Sequence, residues 1–333
     1  MLMKTSYLTI SKWLLAVLLL FGVTFLALSL GAARTTLLDI YEAITGRSGG
    51  AYYDILRDIR FPRVIAAFFV GAALAVAGAI MQGMTRNPLA DPGLLGLTAG
   101  ANLALAITMA FLPALTFLML MFSSFIGAAA GMLLVFGIGM TSKNGLSPLK
   151  LVLAGAAVSL FLQAISSSVG ILFNVSKDLS MWTAGGLVST TWDSLIIVPF
   201  IVLGLGGAVF YSRQLTILSL NEELAKSLGQ KTTFIKIILM VIVVILAGTA
   251  VALIGNLSFV GLFIPHIVRR IVGADYRAII PMSILAGGTF MILTDFVSRM
   301  IFAPLEIPVV ALVAVIGLPF FLFLVKKGGR TFA

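Results

Sequence analysis

The sequence predicts an all-α polytopic membrane protein, and three observations carry that expectation. Of 333 residues, 60% are hydrophobic and only 10% are charged, against roughly 25% charged in soluble domains. The mean hydropathy is +1.16. The apolar runs are long, near the roughly 20 residues that cross a bilayer as a helix, whereas barrel strands would alternate in runs of about 10. The 33 glycines suit helices that approach closely in lipid. The chain has no cysteine, so it has no disulfide, thiolate metal site or catalytic thiol.

Ten apolar segments follow in order, at about 13–32, 64–84, 94–111, 115–140, 151–173, 195–211, 235–254, 257–268, 278–297 and 307–325. They are expected to form one transmembrane domain over residues 1–333. The first segment resembles a signal peptide, but its apolar run exceeds the usual 7–15 residues and reads as a retained span. Pro113 separates the third span from the fourth. Residues 36–45 predict a short amphipathic helix with Leu37, Ile40, Tyr41 and Ile44 on one face. Residues 176–192 carry Met181, Trp182 and Trp192 and read as a helix lying in the interface, the tryptophans serving as headgroup-level anchors.

The net charge of +10 is best explained by cytoplasmic loops rather than by nucleic acid. With the N-terminus inside, alternation assigns fifteen of the 22 Lys and Arg residues to the cytoplasmic side and seven to the outer side, as the positive-inside rule requires. Both termini are then cytoplasmic.

Between the sixth and seventh spans lies one short polar patch, LSLNEELAKSLG. Its 219–229 portion predicts a small helix. Ser219 and Glu222 match a capping box. Glu222 and Glu223 suit a helix N-terminus, Lys226 the last turn, and Gly229 the left-handed C-terminal position. On these residues alone the patch is either a solvated linker or a contact surface.

Two interrupted stretches share a pattern. One runs from Ala77-Gly78 through Asn87 to Leu97, the other from Ala247-Gly248 through Asn256 to Pro265. Alternation gives them opposite orientations, which suggests an inverted repeat with a substrate path at its interface.

Enzyme chemistry is missing. The one histidine, His266 in FIPHIVRR, reads as a packing or hydrogen-bonding group, and without cysteine it cannot anchor a zinc site of the usual kind. No G-x-x-x-x-G-K-[ST] phosphate loop occurs, so ATP hydrolysis by this chain is not expected. Asp91, Asp295 and Glu306 fall at segment ends. An ion-coupled carrier would place an ionisable group deep in the bundle, where a charge costs at least about 2.5–3.5 kcal/mol. The interior polar groups are instead neutral, among them Ser166, Ser167, Ser168 and Asn174. That pattern suits a bulky solute moved by energy from elsewhere.

Several blocks resemble one family. Arg60-Phe61-Pro62-Arg63 looks like an R-x-P-R signature, and Gly71-Ala72-Ala73-Leu74 through Gly78, Met81 and Gln82 continues it. Asn87-Pro88-Leu89-Ala90-Asp91-Pro92 through Gly96 resembles an N-P-L-A-x-P-x-x-L-G block, and Phe259 through Pro265, His266 and Arg269 an F-V-G-L-x-x-P-H-x-x-R block. Asp295 through Arg299, Glu306-Ile307-Pro308 and Gly317-Leu318-Pro319-Phe320 resemble the last two spans. The family is the permease subunit of iron–siderophore, haem and cobalamin ABC importers of the FecCD type.

The resemblance implies about ten transmembrane helices, with spans 2–5 and 7–10 related by inversion. It implies a second permease subunit, identical or paralogous, and two cytoplasmic ATPase subunits that hold the ATP and Mg, with no cofactor and no metal in this chain. An extracytoplasmic binding protein would deliver the substrate, so the chain would sit in the cytoplasmic membrane of a bacterium. Arg60, Arg63 and Arg299 would dock that protein; the alternative is snorkelling or local pairing with Asp58 or Asp295. Ser219, Glu222, Glu223, Leu224, Ala225, Leu228 and Gly229 would couple to the ATPase. Ser147, Pro148, Leu149 and Lys150 would lie at the inner gate, with Pro148 where a small polar residue is expected. Asn87, Pro88, Gly96, Gly261, Pro265 and His266 would be structural motif residues. The expected cargo is a bulky ferric siderophore; haem or cobalamin import and an ion-coupled secondary carrier are the competing readings.

Overall fold

The computed structural model describes residues 2–31, 35–46, 52–112, 116–140, 148–188, 190–303 and 305–328. Among the described residues there are fourteen α-helices and no strand. The first half holds α1 (Leu2–Ser29), α2 (Leu37–Thr45), α3 (Phe61–Thr85), α4 (Leu97–Phe111), α5 (Phe117–Met140), α6 (Pro148–Leu172) and α7 (Ser176–Ala184). The second holds α8 (Val198–Phe210), α9 (Ser212–Leu220), α10 (Glu222–Ser227), α11 (Thr232–Ile254), α12 (Val260–Val272), α13 (Tyr276–Met300) and α14 (Val309–Gly328).

All ten expected apolar segments are helical, as α1, α3, α4, α5, α6, α8, α11, α12, α13 and α14. Seven helical stretches among the described residues are long and apolar enough to cross a membrane. Three others fall short of that length: α4 has 15 residues and α12 has 13, about 22 and 20 Å at 1.5 Å per residue, and α14 counts only over Val309–Leu322. The eighth span begins at Val260 rather than 257 because Gly255 (φ 82°) and Phe259 (φ 74°) interrupt the chain before it.

The centre of the fold is α3, whose small residues leave its backbone room to touch others. A methyl group on Gly71 would overlap the Gly287 carbonyl of α13, and one on Gly78 would overlap Gly261 of α12. Such close approaches replace the hydrophobic effect as the packing force in lipid. The helices α3 and α11 pack on each other and then crosswise: α3 on α12 and α13, α11 on α4 and α5. The leading helix of each half thus sits on the following helices of the other.

The two interrupted stretches meet. Arg86 (φ 52°) and Gly96 (φ 79°) bend the chain between α3 and α4. The Asp91 carboxylate between them accepts the Gly93 N–H at 2.7 Å and the backbone N–H of Phe259 from the other stretch. At the periphery, α1 exposes Leu14, Leu15, Leu18 and Phe21, a surface suited to lipid. The amphipathic helix expected at 36–45 is present as α2, with Thr36 and Asp39 forming its capping box.

Candidate functional site

The polar patch forms a helical corner. Its second limb, α10, is capped by Asn221, whose Oδ1 accepts the Glu223 N–H at 2.9 Å. The expected Ser219–Glu222 box does not form. Ser219 still belongs to α9, where its Oγ donates to the Thr216 carbonyl at 2.8 Å. The break falls at Asn221, where extended backbone (φ −158°, ψ 141°) separates the two helices, and Asn is as good a cap as Ser. At the other end Gly229 is left-handed (φ 78°). Its N–H donates to the Lys226 carbonyl at 2.9 Å and that of Gln230 to the Ala225 carbonyl at 3.0 Å, a Schellman stop.

This corner is tied down on two sides. Glu222 receives Lys236 of α11 at 2.7 Å and Lys226 at 3.4 Å; the Lys236 hydrogen bond holds its carboxyl below the usual range. Gln230 Nε2 donates to the Gln214 carbonyl at 3.0 Å. Thr216 Oγ1 donates to Asp275 at 3.0 Å and accepts the Tyr276 N–H at 3.0 Å, joining α9 to the start of α13. Arg277 pairs with Asp275 at 2.7 Å. That hydrogen-bonded pairing is the main cause holding the Asp275 carboxyl down to about 2.

What the corner presents differs from the expected surface. Ala225 is fully buried and faces the helices behind it. Glu222 is engaged internally. Of the expected residues Leu224, Leu228 and Glu223 are exposed, and Leu220, which was not among them, is exposed as well. Leu220 was missed because it closes α9, one residue before the cap. The result is three exposed leucines on a short element tied through Glu222–Lys236 to α11 and through Thr216–Asp275 to the start of α13.

The three arginines are paired within the chain. Arg63 in the first turn of α3 donates from Nε to Asp295 at 2.9 Å, and its fork grips both Glu306 oxygens at 3.1 and 2.9 Å. Arg299 contacts Asp295 at 3.2 Å and the Ala27 carbonyl at 3.3 Å. Arg60 donates to the Leu28 carbonyl and to Thr35 Oγ1. Arg60 and Arg63 are each 4% exposed and Asp295 1%. This is the local pairing with Asp295 weighed against docking, with Glu306 as an added partner.

The segment after α6 does not simply lie along an interface. Helix α7 is seated against α4 and α6. Gly185 (φ 70°) and Gly186 (φ 127°) then turn the chain onto the end of α11, where the Gly186 N–H donates to the Ile254 carbonyl at 3.0 Å. Trp182 packs on Phe117, ring centres 5.0 Å apart, and Trp192 Nε1 donates to the Arg57 carbonyl at 2.9 Å. Two cavities flank α7. One, about 510 Å³, is lined by Asn102, Gln163, Ser167, Ser180, Thr183 and Asn256, with others. The second, about 460 Å³, lies between Phe117, Asp178, Trp182, Gly186 and Ile254. Of the serines singled out in the sequence, Ser167 lines the first cavity, while Ser166 is fully buried and Ser168 bonds the Ala164 carbonyl at 2.9 Å.

The motif residues shape the backbone. Asn87 Oδ1 accepts the Leu89 N–H at 3.0 Å across Pro88. Gly96 and Gly261 lie against Gly131 and Gly78. Pro265 lies inside α12 and supplies no N–H to the carbonyl four residues back. Gln82 answers this by donating to the Gly261 and Leu262 carbonyls at 3.2 and 3.0 Å. His266 packs edge-on against Phe320 at 6.0 Å. Of the expected inner gate, Pro148, Leu149 and Lys150 form the first turn of α6, and Ser147 lies outside the described residues. Among the described residues no group of three or more His, Cys, Asp or Glu side chains could hold a metal ion.

Seven stretches long and apolar enough to cross a bilayer, packed through glycine contacts, make this a multi-pass helical membrane protein. The chain belongs to the FecCD transport family, which it matches over residues 18–327. It is 46% identical over 308 residues to the iron(3+)-hydroxamate import system permease protein FhuB of Bacillus subtilis, covering 92% of this chain and 80% of that one. It is 37% identical over 314 residues to the hemin transport system permease protein HmuU of Yersinia pestis, covering 90% and 92%. Its fold is similar to a solved inward-facing metal-chelate type ABC transporter, with a TM-score of 0.82 and 28% identity over 94% of this chain and 97% of the other.

Proposed function

We propose that this chain is the permease subunit of an ATP-driven importer that carries a ferric siderophore into the bacterial cytoplasm by alternating access. The observation that carries the reading is the capped corner of α9 and α10, with exposed Leu220, Leu224 and Leu228 and ties to both α11 and the start of α13, in a chain of the FecCD transport family. A rigid element of this kind suits the transfer of motion from an ATPase that seats against it. ATP and Mg belong to two such cytoplasmic subunits, and this chain carries no cofactor of its own. A second permease, identical or paralogous, completes the path, and the chain acts as one transmembrane unit in the cytoplasmic membrane. The excess of basic residues on one side supports cytoplasmic termini.

An extracytoplasmic binding protein docks at the opposite end. There Arg60, Arg63 and Arg299 supply three positive charges against the two of Asp295 and Glu306. An incoming carboxylate competes with Glu306 for the Arg63 fork, since the Glu306 side chain is 33% exposed and that of Asp295 is 1%. The iron-hydroxamate permease among the relatives favours a siderophore; the haem permease keeps haem import as the second reading. The test is reconstitution with ATPase and binding protein in liposomes. ATP-dependent uptake of a ferric chelate supports the reading. Uptake by the chain alone, driven by a proton or sodium gradient, overturns it.

A further inference from the structure

We propose that the cavity beside α7 selects chelates that carry no net negative charge; the inference rests on the import reading above and names its substrate class. The cavity of about 510 Å³ is walled by Asn102 of α4, Gln163 and Ser167 of α6, Ser180 and Thr183 of α7, and Asn256 of the second interrupted stretch. These side chains are neutral amides and hydroxyls, each able both to donate and to accept. Among the described residues no Lys or Arg lines the cavity. On the other side of α7 the one charged lining residue among the described residues is Asp178. Lys177, between the two walls in sequence, is exposed and lines neither cavity. The cationic residues Arg63 and Arg299 are engaged with carboxylates elsewhere on α3 and α13.

Ligand chemistry follows from this wall. A charged group leaving water needs a compensating charge, whereas a neutral polar group needs only hydrogen bonds. Ferric ion held by three singly charged hydroxamates is neutral, with amide-like oxygens around its rim. Held by three doubly charged catecholates it is strongly anionic. The neutral amide and hydroxyl wall satisfies the first complex, offers the second no counter-charge, and sets Asp178 nearby against it.

The experiment uses the assembled permease–ATPase complex with Trp13→Phe and Trp192→Phe, leaving Trp182 on α7 as its reporter within the permease; the ATPase signal is subtracted with a Trp182→Phe control. Quenching by a neutral ferric trihydroxamate and by an anionic ferric tricatecholate is titrated. The neutral chelate should quench saturably, with the anionic chelate at least about tenfold weaker, as expected where like charge opposes binding and no cation offsets it. Ser180 is exposed, so Ser180→Lys should fold; it should narrow or reverse the ratio, and Gln163→Arg should do the same from the facing wall. Equal binding of both chelates, quenching by neither, or an unchanged ratio in Ser180→Lys overturns the inference. ATP-driven uptake of either chelate in liposomes is scored in parallel. If uptake is present and the charge preference absent, only the inference fails; if no chelate is taken up, the import reading fails with it.

Discussion

Replacing Arg63 by Met should destabilise the permease by about 3 kcal/mol. Removing one partner of a buried ion pair costs about 3–5 kcal/mol because the other charge is left without compensation. Here Asp295, with a side chain 1% exposed, keeps Arg299 at 3.2 Å, which places the effect at the low end of that range. Asp295→Asn should cost about as much for the mirrored reason. Glu306→Gln should cost about 1 kcal/mol or less, since its side chain is 33% exposed and water can replace the arginine. The double variant Arg63→Met/Asp295→Asn should be little worse than either single one, giving a coupling of about 2–3 kcal/mol. Thermal or denaturant unfolding of the purified permease in detergent measures all four. Additive losses would refute the pairing. An Arg63→Met protein of wild-type stability that no longer binds its docking partner would show that Arg63 faces outward in the working complex.

Other consequences are independent. Leu224→Ala with Leu228→Ala should lower ATPase association at least about tenfold while leaving permease unfolding unchanged, because both side chains are exposed and apolar anchors dominate such contacts; Glu223→Ala should add to the loss. Gly78→Leu should destabilise by more than the usual 1–3 kcal/mol of overpacking, since the Gly261 backbone occupies the space; size-exclusion and unfolding measurements check this. Acid should loosen the corner formed by α9 and α10. The carboxyl values of Asp275 (about 2, against 3.8) and Glu222 (below 4.5) are depressed on folding. Their contribution is therefore complete above those ordinary values and is lost as pH falls through the folded ones. Hydrogen-exchange protection over 214–230, corrected for the intrinsic pH dependence of exchange, should stay constant above about pH 5 and fall below about pH 4, and Asp275→Asn should lower it at neutral pH.

The helices were legible because lipid demands long apolar runs: all ten segments are helical, and seven stretches among the described residues are long and apolar enough to cross a membrane. Their ends were less so. The start of α12 depends on Phe259 in the left-handed region, held by Asp91 from a stretch far away in sequence. The cap moved from Ser219 to Asn221 because either residue can cap, and only the angle between α9 and α10 decides which one does. The pairing of Arg63 with Asp295 joins residues 232 apart, and the sequence shows both without showing that they meet. Gln82 and Pro265 are legible as motif residues; that one side chain satisfies the carbonyl freed by the other emerges only from helix packing. The cavity beside α7 had the faintest signal. Asn102, Gln163, Ser180 and Asn256 come from four separate segments with no shared spacing.

The most direct measurement is ferric-chelate uptake into liposomes holding the permease, its ATPase and its binding protein, compared with and without ATP inside the compartment where the 221–229 corner lies. The account predicts uptake that requires hydrolysable ATP and the ATPase, is unaffected by collapsing proton and sodium gradients, and is abolished by Leu224→Ala/Leu228→Ala. Uptake that persists without ATP, or follows an ion gradient across the membrane, would contradict it.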